Sequence, residues 1–161
     1  MNERYARIIT GFPLLQGFTM QGAQRLLERG EVKEYSPGEV LFKEGDGPAF
    51  VVLVITGKIQ VFVEREGDDL VLTDAGPGTI LGELAVLCGI TRSASVRAIE
   101  SAAALEWSAA AFRNLLLRYP LLSERIFREA LRTLVEKERA LIDSVIETRN
   151  DSKQTESGRR S

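Results

Sequence analysis

The chain has no histidine among its 161 residues. Histidine is the usual general base near neutral pH and a frequent ligand of zinc and iron. Its absence argues against hydrolase triads and against metal sites built from histidine. We therefore expect a protein that is not an enzyme and that carries no metal and no other cofactor.

Cysteine and long apolar runs are scarce as well, and basic residues do not outnumber acidic ones. The lone Cys88 has no disulfide partner, which fits a reducing compartment. No run approaches the ~20 apolar residues of a membrane span, and the early charges at Glu3, Arg4 and Arg7 leave no signal-peptide core. The formal net charge of −2 gives no general electrostatic reason to bind nucleic acid, which usually requires a basic face. We expect a cytoplasmic protein with neither DNA nor a membrane as its partner.

The hydrophobic pattern changes its period twice along the chain. Residues 1–30 have helical spacing, and Thr19 is placed to cap a second helix. Residues 31–108 contain short β-rich runs separated by Gly, Pro and Asp. These runs are Val32–Tyr35, Val40–Phe42, Phe50–Ile55, Lys58–Val63, Leu70–Leu72, Thr79–Leu81, Ala94–Ile99 and Ala103–Trp107. They predict a mainly β fold, an eight-stranded jelly roll with N-terminal helices and a long C-terminal helix.

Residues 109–147 return to helical spacing, with a break at Tyr119-Pro120. The long helix after the break has a heptad seam with one polar member, formed by Phe127, Leu131, Leu134, Glu138, Leu141 and Val145. This seam either packs on the roll of its own subunit or pairs with a second copy, and we predict the homodimer. Residues 148–161 are polar and are predicted to be a disordered tail beyond the domain at 1–147.

The segment from Gly82 to Ala98 combines groups that suit a nucleotide. A helical turn beginning at Gly82 directs the unpaired N–H groups of Glu83, Leu84 and Ala85 into one space, where they favour an anion. Arg92 follows nine residues after Glu83, and its planar fork matches a phosphate. A carboxylate beside a phosphate makes sense as the acceptor of a ribose hydroxyl. Together these groups predict a nucleotide site.

The same segment, GELAVLCGITRSASVRA, resembles the phosphate-binding cassette of the cyclic nucleotide-binding domain family. Two further segments resemble that family in the right order: PGEVLFKEGD at 37–46 and GKIQV at 57–61. The resemblance implies that Glu83 binds the ribose 2′-hydroxyl, that Arg92 binds the cyclic phosphate, and that amides near Leu84 and Ala85 bind its other oxygens. Three departures affect the loops but remove no ligand group: Leu81 in place of Phe, Thr91 in place of Pro, and GPAF at 47–50 in place of a stretch with an acid and a tyrosine.

The resemblance also bears on the choice of base. Ser93 places a hydroxyl where it can bond the phosphate or a guanine, so cyclic AMP and cyclic GMP both stay open, with cyclic AMP favoured as the commoner bacterial ligand of the family. Ser95 is either a second phosphate contact or a strand hydroxyl bonded to backbone. In the predicted roll, Val61 and Leu72 line the cavity beside the cassette or are buried in the ordinary core.

Two residues of the long helix complete the candidate site. By resemblance, this part of the helix lies near the base, which makes Lys137 and Glu138 candidate base readers. Glu138 occupies a seam position, where a dry carboxylate is costly. We therefore expect it to reach water or to meet a basic residue of the second chain.

The chain has no apolar periodicity after the long helix from which to build a winged helix-turn-helix. We therefore expect a stand-alone sensor or regulatory subunit that binds a 3′,5′-cyclic nucleotide, shifts its C-terminal helix and signals to an effector protein of unknown identity. The main alternative is a ligand-free scaffold or dimerisation module on the same fold. An enzyme of the cupin type is remote because that class usually needs histidine ligands.

Overall fold

The computed structural model describes residues 2–160 and begins with three helical segments. They are α1 (Asn2–Ile9), a short 3-10 helix (Pro13–Leu15) and α2 (Met20–Glu28). The Thr19 hydroxyl accepts a hydrogen bond of 3.0 Å from the Gly22 N–H, which satisfies one of the orphan donors at the start of α2. The expected N-cap is confirmed.

Eight strands follow and form two four-stranded antiparallel sheets. The strands are β1 (Glu31–Tyr35), β2 (Val40–Phe42), β3 (Phe50–Thr56), β4 (Ile59–Arg65), β5 (Asp68–Ala75), β6 (Ile80–Leu81), β7 (Ser95–Ala98) and β8 (Ala102–Ser108). Their order is β1-β8-β3-β6 in one sheet and β2-β7-β4-β5 in the other. The predicted eight-stranded roll is confirmed. β5 is longer than expected because its polar ends continue to pair with β4.

Two hydrophobic clusters hold the roll together. One lies between the helices and the first sheet and includes the fully buried Trp107 and Phe112. The other lies between the two sheets and includes Phe42 and Val96. Strand β3 contributes alternate residues to both clusters. It is therefore buried on both faces, which explains its continuous apolar sequence FVVLVIT.

A buried carboxylate on β8 is fully compensated. Glu106 is 6% exposed; one of its oxygens accepts a 2.6 Å hydrogen bond from the Tyr35 hydroxyl, and the other lies 2.9 Å from Lys33 Nζ. Burial, and then the hydrogen bond and charge of Glu106, raise the pKa of Tyr35, and the hydrogen bond to Glu106 raises the pKa of Lys33. This pairing makes burial of the acid tolerable in the first sheet.

Helices α4 (Ala109–Arg118) and α5 (Pro120–Arg159) complete the chain. Pro120 is the first residue of α5, as the sequence predicts. The prediction of a disordered tail from residue 148 is wrong as far as residue 159, because the helix continues there. The segment after residue 147 lacks an apolar face, but it also lacks proline, and extending an existing helix is easier than nucleating one. Within residues 2–160 no helix combines the length and apolarity needed to cross a membrane.

The chain divides into two compact units within α5, one ending at Ile126 and the other starting at Phe127. This boundary differs from the predicted domain limit at residue 147. The predicted domain begins at Met1 and the predicted tail ends at Ser161, and these two residues lie outside the described range. In the second unit the apolar members of the seam are 41% to 69% exposed: Phe127, Leu131, Leu134, Leu141 and Val145. The seam therefore presents an exposed apolar stripe that is interrupted only at Glu138.

Candidate functional site

A six-residue helix lies at the centre of the predicted cassette. Helix α3 spans Glu83–Cys88, and Gly82 is its N-cap with a φ of 80°, in the left-handed region that favours glycine. The amides of Glu83, Leu84 and Ala85 are thus the first three of the helix, in the opening turn that provides no acceptors of its own. The structure places these amides together at one helix end, as the sequence predicts.

The Arg92 side chain reaches the start of α3 and is 3% exposed. Its Nη1 donates a 3.0 Å hydrogen bond to the Gly82 carbonyl, and its Nη2 donates to the Phe50 carbonyl on β3. Within residues 2–160, Arg92 Nε is buried and has no hydrogen-bond partner. The guanidinium is therefore anchored at both Nη atoms, and it lies beside the helix end that favours an anion.

Two aromatic rings enclose the guanidinium. Arg92 Cζ lies 4.1 Å from the ring centroid of Phe42 and 5.1 Å from that of Phe50. The two rings meet edge to face with their centroids 5.9 Å apart. A ring face attracts a cation, and it does so more strongly away from water. The sequence analysis did not predict either residue as a member of the site. Phe42 is the last residue of β2, and Phe50 is the first residue of β3.

Burial lowers the pKa of the Arg92 guanidinium, and the negative charges of Asp46 and Glu83 partly offset this effect. The lowered pKa means that burial disfavours the charged form of Arg92 in this pocket. A bound anion would favour that form, because an opposite charge at close range stabilises a cation. The electrostatics of the site therefore suit a phosphate.

The loop after β2 holds the backbone of Arg92. Arg92 N–H donates to the Asp46 carbonyl, and Gly45 N–H donates to the Arg92 carbonyl, each at 2.9 Å. The Asp46 carboxylate accepts a 2.9 Å hydrogen bond from Lys43 N–H, which closes the loop on itself. The two sequence motifs at 37–46 and 82–98 are thus joined directly at the arginine.

The two serines after Arg92 differ in their surroundings. Ser95 is buried, and its hydroxyl accepts a 2.9 Å hydrogen bond from Glu44 N–H. This is the backbone-bonded alternative, and a phosphate contact by Ser95 stays a prediction. Ser93 is exposed, so its hydroxyl is accessible from solvent.

The remaining candidate residues lie on three elements. Val61 on β4 is partly buried against the cluster between the sheets, which contains Phe42. Leu72 falls at the register shift between β4 and β5 and is 53% exposed, so the alternative of core burial is wrong for this residue. Lys137 and Glu138 lie on α5 in the second unit, where both are exposed. Their roles as cavity lining and base readers stay predictions.

No group of three or more His, Cys, Asp or Glu side chains in the described part of the chain is placed to hold a metal ion. The candidate site consists of a buried arginine, the carboxylates of Asp46 and Glu83, and main-chain amides. Of these groups, the guanidinium and the amides are the ones suited to an anion, and a carboxylate is suited to a hydroxyl.

Comparison with known proteins agrees with this chemistry. A family model described as a cyclic nucleotide-binding domain matches residues 32–119, more than half of the chain. The cyclic AMP receptor protein of Thermus thermophilus is 30% identical over 117 residues, which cover 72% of this chain and 54% of that protein. The Pycsar effector protein PaPycTIR of Pseudomonas aeruginosa is 33% identical over 131 residues, which cover 81% of this chain and 40% of that protein.

A solved structure shares the same fold. The catabolite activator protein of Thermus thermophilus matches with a TM-score of 0.72 at 28% identity, and the match covers 80% of this chain and 61% of that one. The chain spans about half or less of the length of the curated relatives that it matches. The similarity therefore concerns one domain of those longer proteins.

Proposed function

This chain belongs to the cyclic nucleotide-binding domain family, and we propose that it is a non-enzymatic sensor or regulatory subunit. It binds a 3′,5′-cyclic nucleotide, with cyclic AMP preferred over cyclic GMP. Occupancy shifts the C-terminal helix, which signals to an effector protein.

The placement of Arg92 carries the proposal. Its guanidinium is buried beside the first amides of α3, and its Nη1 bonds the carbonyl of the N-cap residue Gly82. A cyclic phosphate here receives charge-assisted hydrogen bonds from the guanidinium and further hydrogen bonds from the amides of Leu84 and Ala85. Glu83 is the first residue of the same helix and accepts the ribose 2′-hydroxyl.

The preference for cyclic AMP rests on relatives of this chain, and the Ser93 hydroxyl is compatible with either nucleotide. The Thermus relative is named as a cyclic AMP receptor protein, and a similar structure from Mycobacterium smegmatis is titled a cAMP-binding acyltransferase. The exposed Ser93 hydroxyl can bond the phosphate of either nucleotide or the guanine of cyclic GMP. Selectivity is therefore expected to be moderate and in favour of cyclic AMP.

Titration calorimetry of the purified chain with each nucleotide tests this function. We expect micromolar or tighter binding of cyclic AMP and weaker binding of cyclic GMP, with 5′-AMP as the control because it has the same base and no cyclic phosphate. Folded, nucleotide-free protein that gives no heat with either cyclic nucleotide would favour the ligand-free scaffold. Tighter binding of cyclic GMP would reverse the assigned preference and leave the site itself intact.

The exposed seam of α5 supports a homodimer through this helix. Its apolar members repeat with heptad spacing and are 41% to 69% exposed, which is the pattern of a coiled-coil interface. In a dimer, Glu138 lies at a seam position where Lys137 or Arg139 of the second chain can neutralise it. This pairing makes the polar member of the seam tolerable.

Replacing both Leu134 and Leu141 by Ala should convert the dimer to monomer. A dimer buries four such leucines, and each contributes about 1.5–3 kcal/mol when fully buried, so the self-association constant should fall by at least about a hundredfold. Sedimentation equilibrium measures this change. Arg132→Ala is the matched control, because Arg132 lies on α5 with 61% of its side chain exposed and pairs with Glu129 of its own helix. A wild-type chain that is monomeric at high concentration would exclude the dimer.

A further inference from the structure

We infer that Arg113 is a positioning residue that couples the cassette helix α3 to α4, and this inference rests on the proposed function. Arg113 lies on α4, outside the cassette, and its Nη2 donates a 2.9 Å hydrogen bond to the Val86 carbonyl of α3. The two bonded residues are twenty-seven positions apart in the chain. Through it, a change in the position of α3 acts on α4.

The short length of α3 makes outside support necessary. A helix of six residues is not stable alone in water, because its few internal bonds do not offset the cost of nucleation. Its first and last turns are each held by an arginine side chain: Arg92 donates to the Gly82 carbonyl, and Arg113 donates to the Val86 carbonyl. One of these arginines is the proposed phosphate ligand, and the other belongs to α4.

The Val86 carbonyl lies in the last turn of α3, where a carbonyl needs a hydrogen-bond donor from outside the helix. At the end of α3 the Ala85 carbonyl accepts from the amides of Gly89 and Ile90. The Val86 carbonyl is one of the last four of the helix, which have no partner within it. Arg113 supplies that partner, and a cation at a helix C-terminus also interacts favourably with the helix dipole.

The same contact is backed by apolar packing. The Val86 side chain is fully buried in the cluster that contains Phe112 and Leu115 of α4. Leu122 and Ile126 of the first turns of α5 belong to that cluster too. Packing of this kind brings the elements together, whereas the hydrogen bond from Arg113 fixes the direction and the register of α3 against α4.

A coupling route follows from these contacts. A phosphate that engages Arg92 and the first amides of α3 changes the bond between Arg92 and Gly82 and so moves α3. The Val86 carbonyl moves with its helix, and Arg113 transfers this displacement to α4. Arg113 is not among the residues proposed to bind the ligand, so its role is in transmission.

Hydrogen exchange with and without saturating cyclic AMP tests the inference. In the wild type, cyclic AMP should slow exchange in peptides from both α3 and α4. In Arg113→Gln the response of α3 should remain while that of α4 falls by at least half, and the nucleotide affinity should change about fivefold or more because the coupling is reciprocal. Arg113→Lys keeps a donor for the Val86 carbonyl and should restore most of the α4 response.

Arg118→Gln is the matched control, since Arg118 lies on the same helix but donates to Asn114 within it. Its α4 response should equal that of the wild type. A merely structural role for Arg113 would lower the melting temperature and leave the response of α4 to cyclic AMP intact, and that result would overturn the inference. Arg113→Met, which keeps the apolar stem without a donor, replaces Arg113→Gln if the latter does not fold.

The two proposals fail in different ways. Absence of nucleotide binding by the wild type contradicts the proposed function and removes the coupling with it. Wild-type binding without a response in α4, or with an equal response in Arg113→Gln, leaves the sensor in place and rejects Arg113 as its coupling residue.

Discussion

Arg92→Ala should lower the affinity for cyclic AMP by roughly thirty- to several-thousand-fold. Truncating one partner of a buried, hydrogen-bonded charge pair costs about 2–5 kcal/mol, which converts to that range. The loss is expected to be large because the guanidinium is 3% exposed and lies against the rings of Phe42 and Phe50. Water cannot easily take the place of the missing donor there. Titration calorimetry measures the change directly.

Two further variants make this prediction specific. Arg92→Lys keeps a cation but not the fork, so it should restore only part of the affinity. Arg97→Ala removes an arginine five residues later that pairs with Asp69 at 2.6 Å and lies 4.0 Å from the Phe62 ring centroid. We expect the affinity of the Arg97→Ala variant for cyclic AMP to stay within about threefold of that of the wild type. A loss below threefold for Arg92→Ala itself would remove Arg92 from the phosphate site.

Folding must be checked beside binding for Arg92, because its side chain also has structural contacts. Its two Nη atoms donate to the carbonyls of Gly82 and Phe50, so the alanine variant leaves two acceptors without these donors. A lowered melting temperature is expected on this ground. The prediction on affinity applies to variant protein whose circular dichroism and monomer or dimer state match those of the wild type.

Gly82→Ala should both destabilise the fold and weaken nucleotide binding. The backbone of Gly82 has a φ of 80°, which costs an alanine about 1–2 kcal/mol. An added Cβ would also overlap Arg92 Nη1. Displacing a hydrogen-bonded guanidinium costs about 1.5–3 kcal/mol more. We expect a total loss of about 2–5 kcal/mol in the free energy of unfolding, measured by urea denaturation, and at least about a tenfold loss of affinity.

Gly89→Ala separates the two contributions of this substitution. Gly89 is at the other end of α3 and also has a left-handed backbone, with a φ of 65°, but an added Cβ there meets nothing within 4 Å. This control should show only the backbone cost of about 1–2 kcal/mol and should retain nucleotide affinity. Equal losses of affinity in the two variants would show that the contact with Arg92 is not what makes Gly82 necessary.

The sequence by itself determined the type and order of almost every element. Period-two runs between turn residues predict the eight strands, and Thr19 and Pro120 mark helix starts that the structure has. It also identified the family and located α3 directly after Gly82. These features are local, because capping, turn chemistry and apolar spacing involve residues within a few positions of one another.

Only the tertiary structure decided what surrounds the candidate ligands. Phe42 lies on one sheet and Phe50 on the other, so no local pattern shows that both rings enclose Arg92, which bonds a carbonyl forty-two residues away. The exposure of Leu72, the backbone bond of Ser95 and the link from Arg113 to α3 likewise depend on how distant segments meet. In α5 a local rule misled, because the absence of an apolar face predicts disorder, whereas a segment without proline can extend a helix that has already begun. Sequence spacing determines which faces are apolar, and the packing of the two sheets determines which side chains those faces bring together.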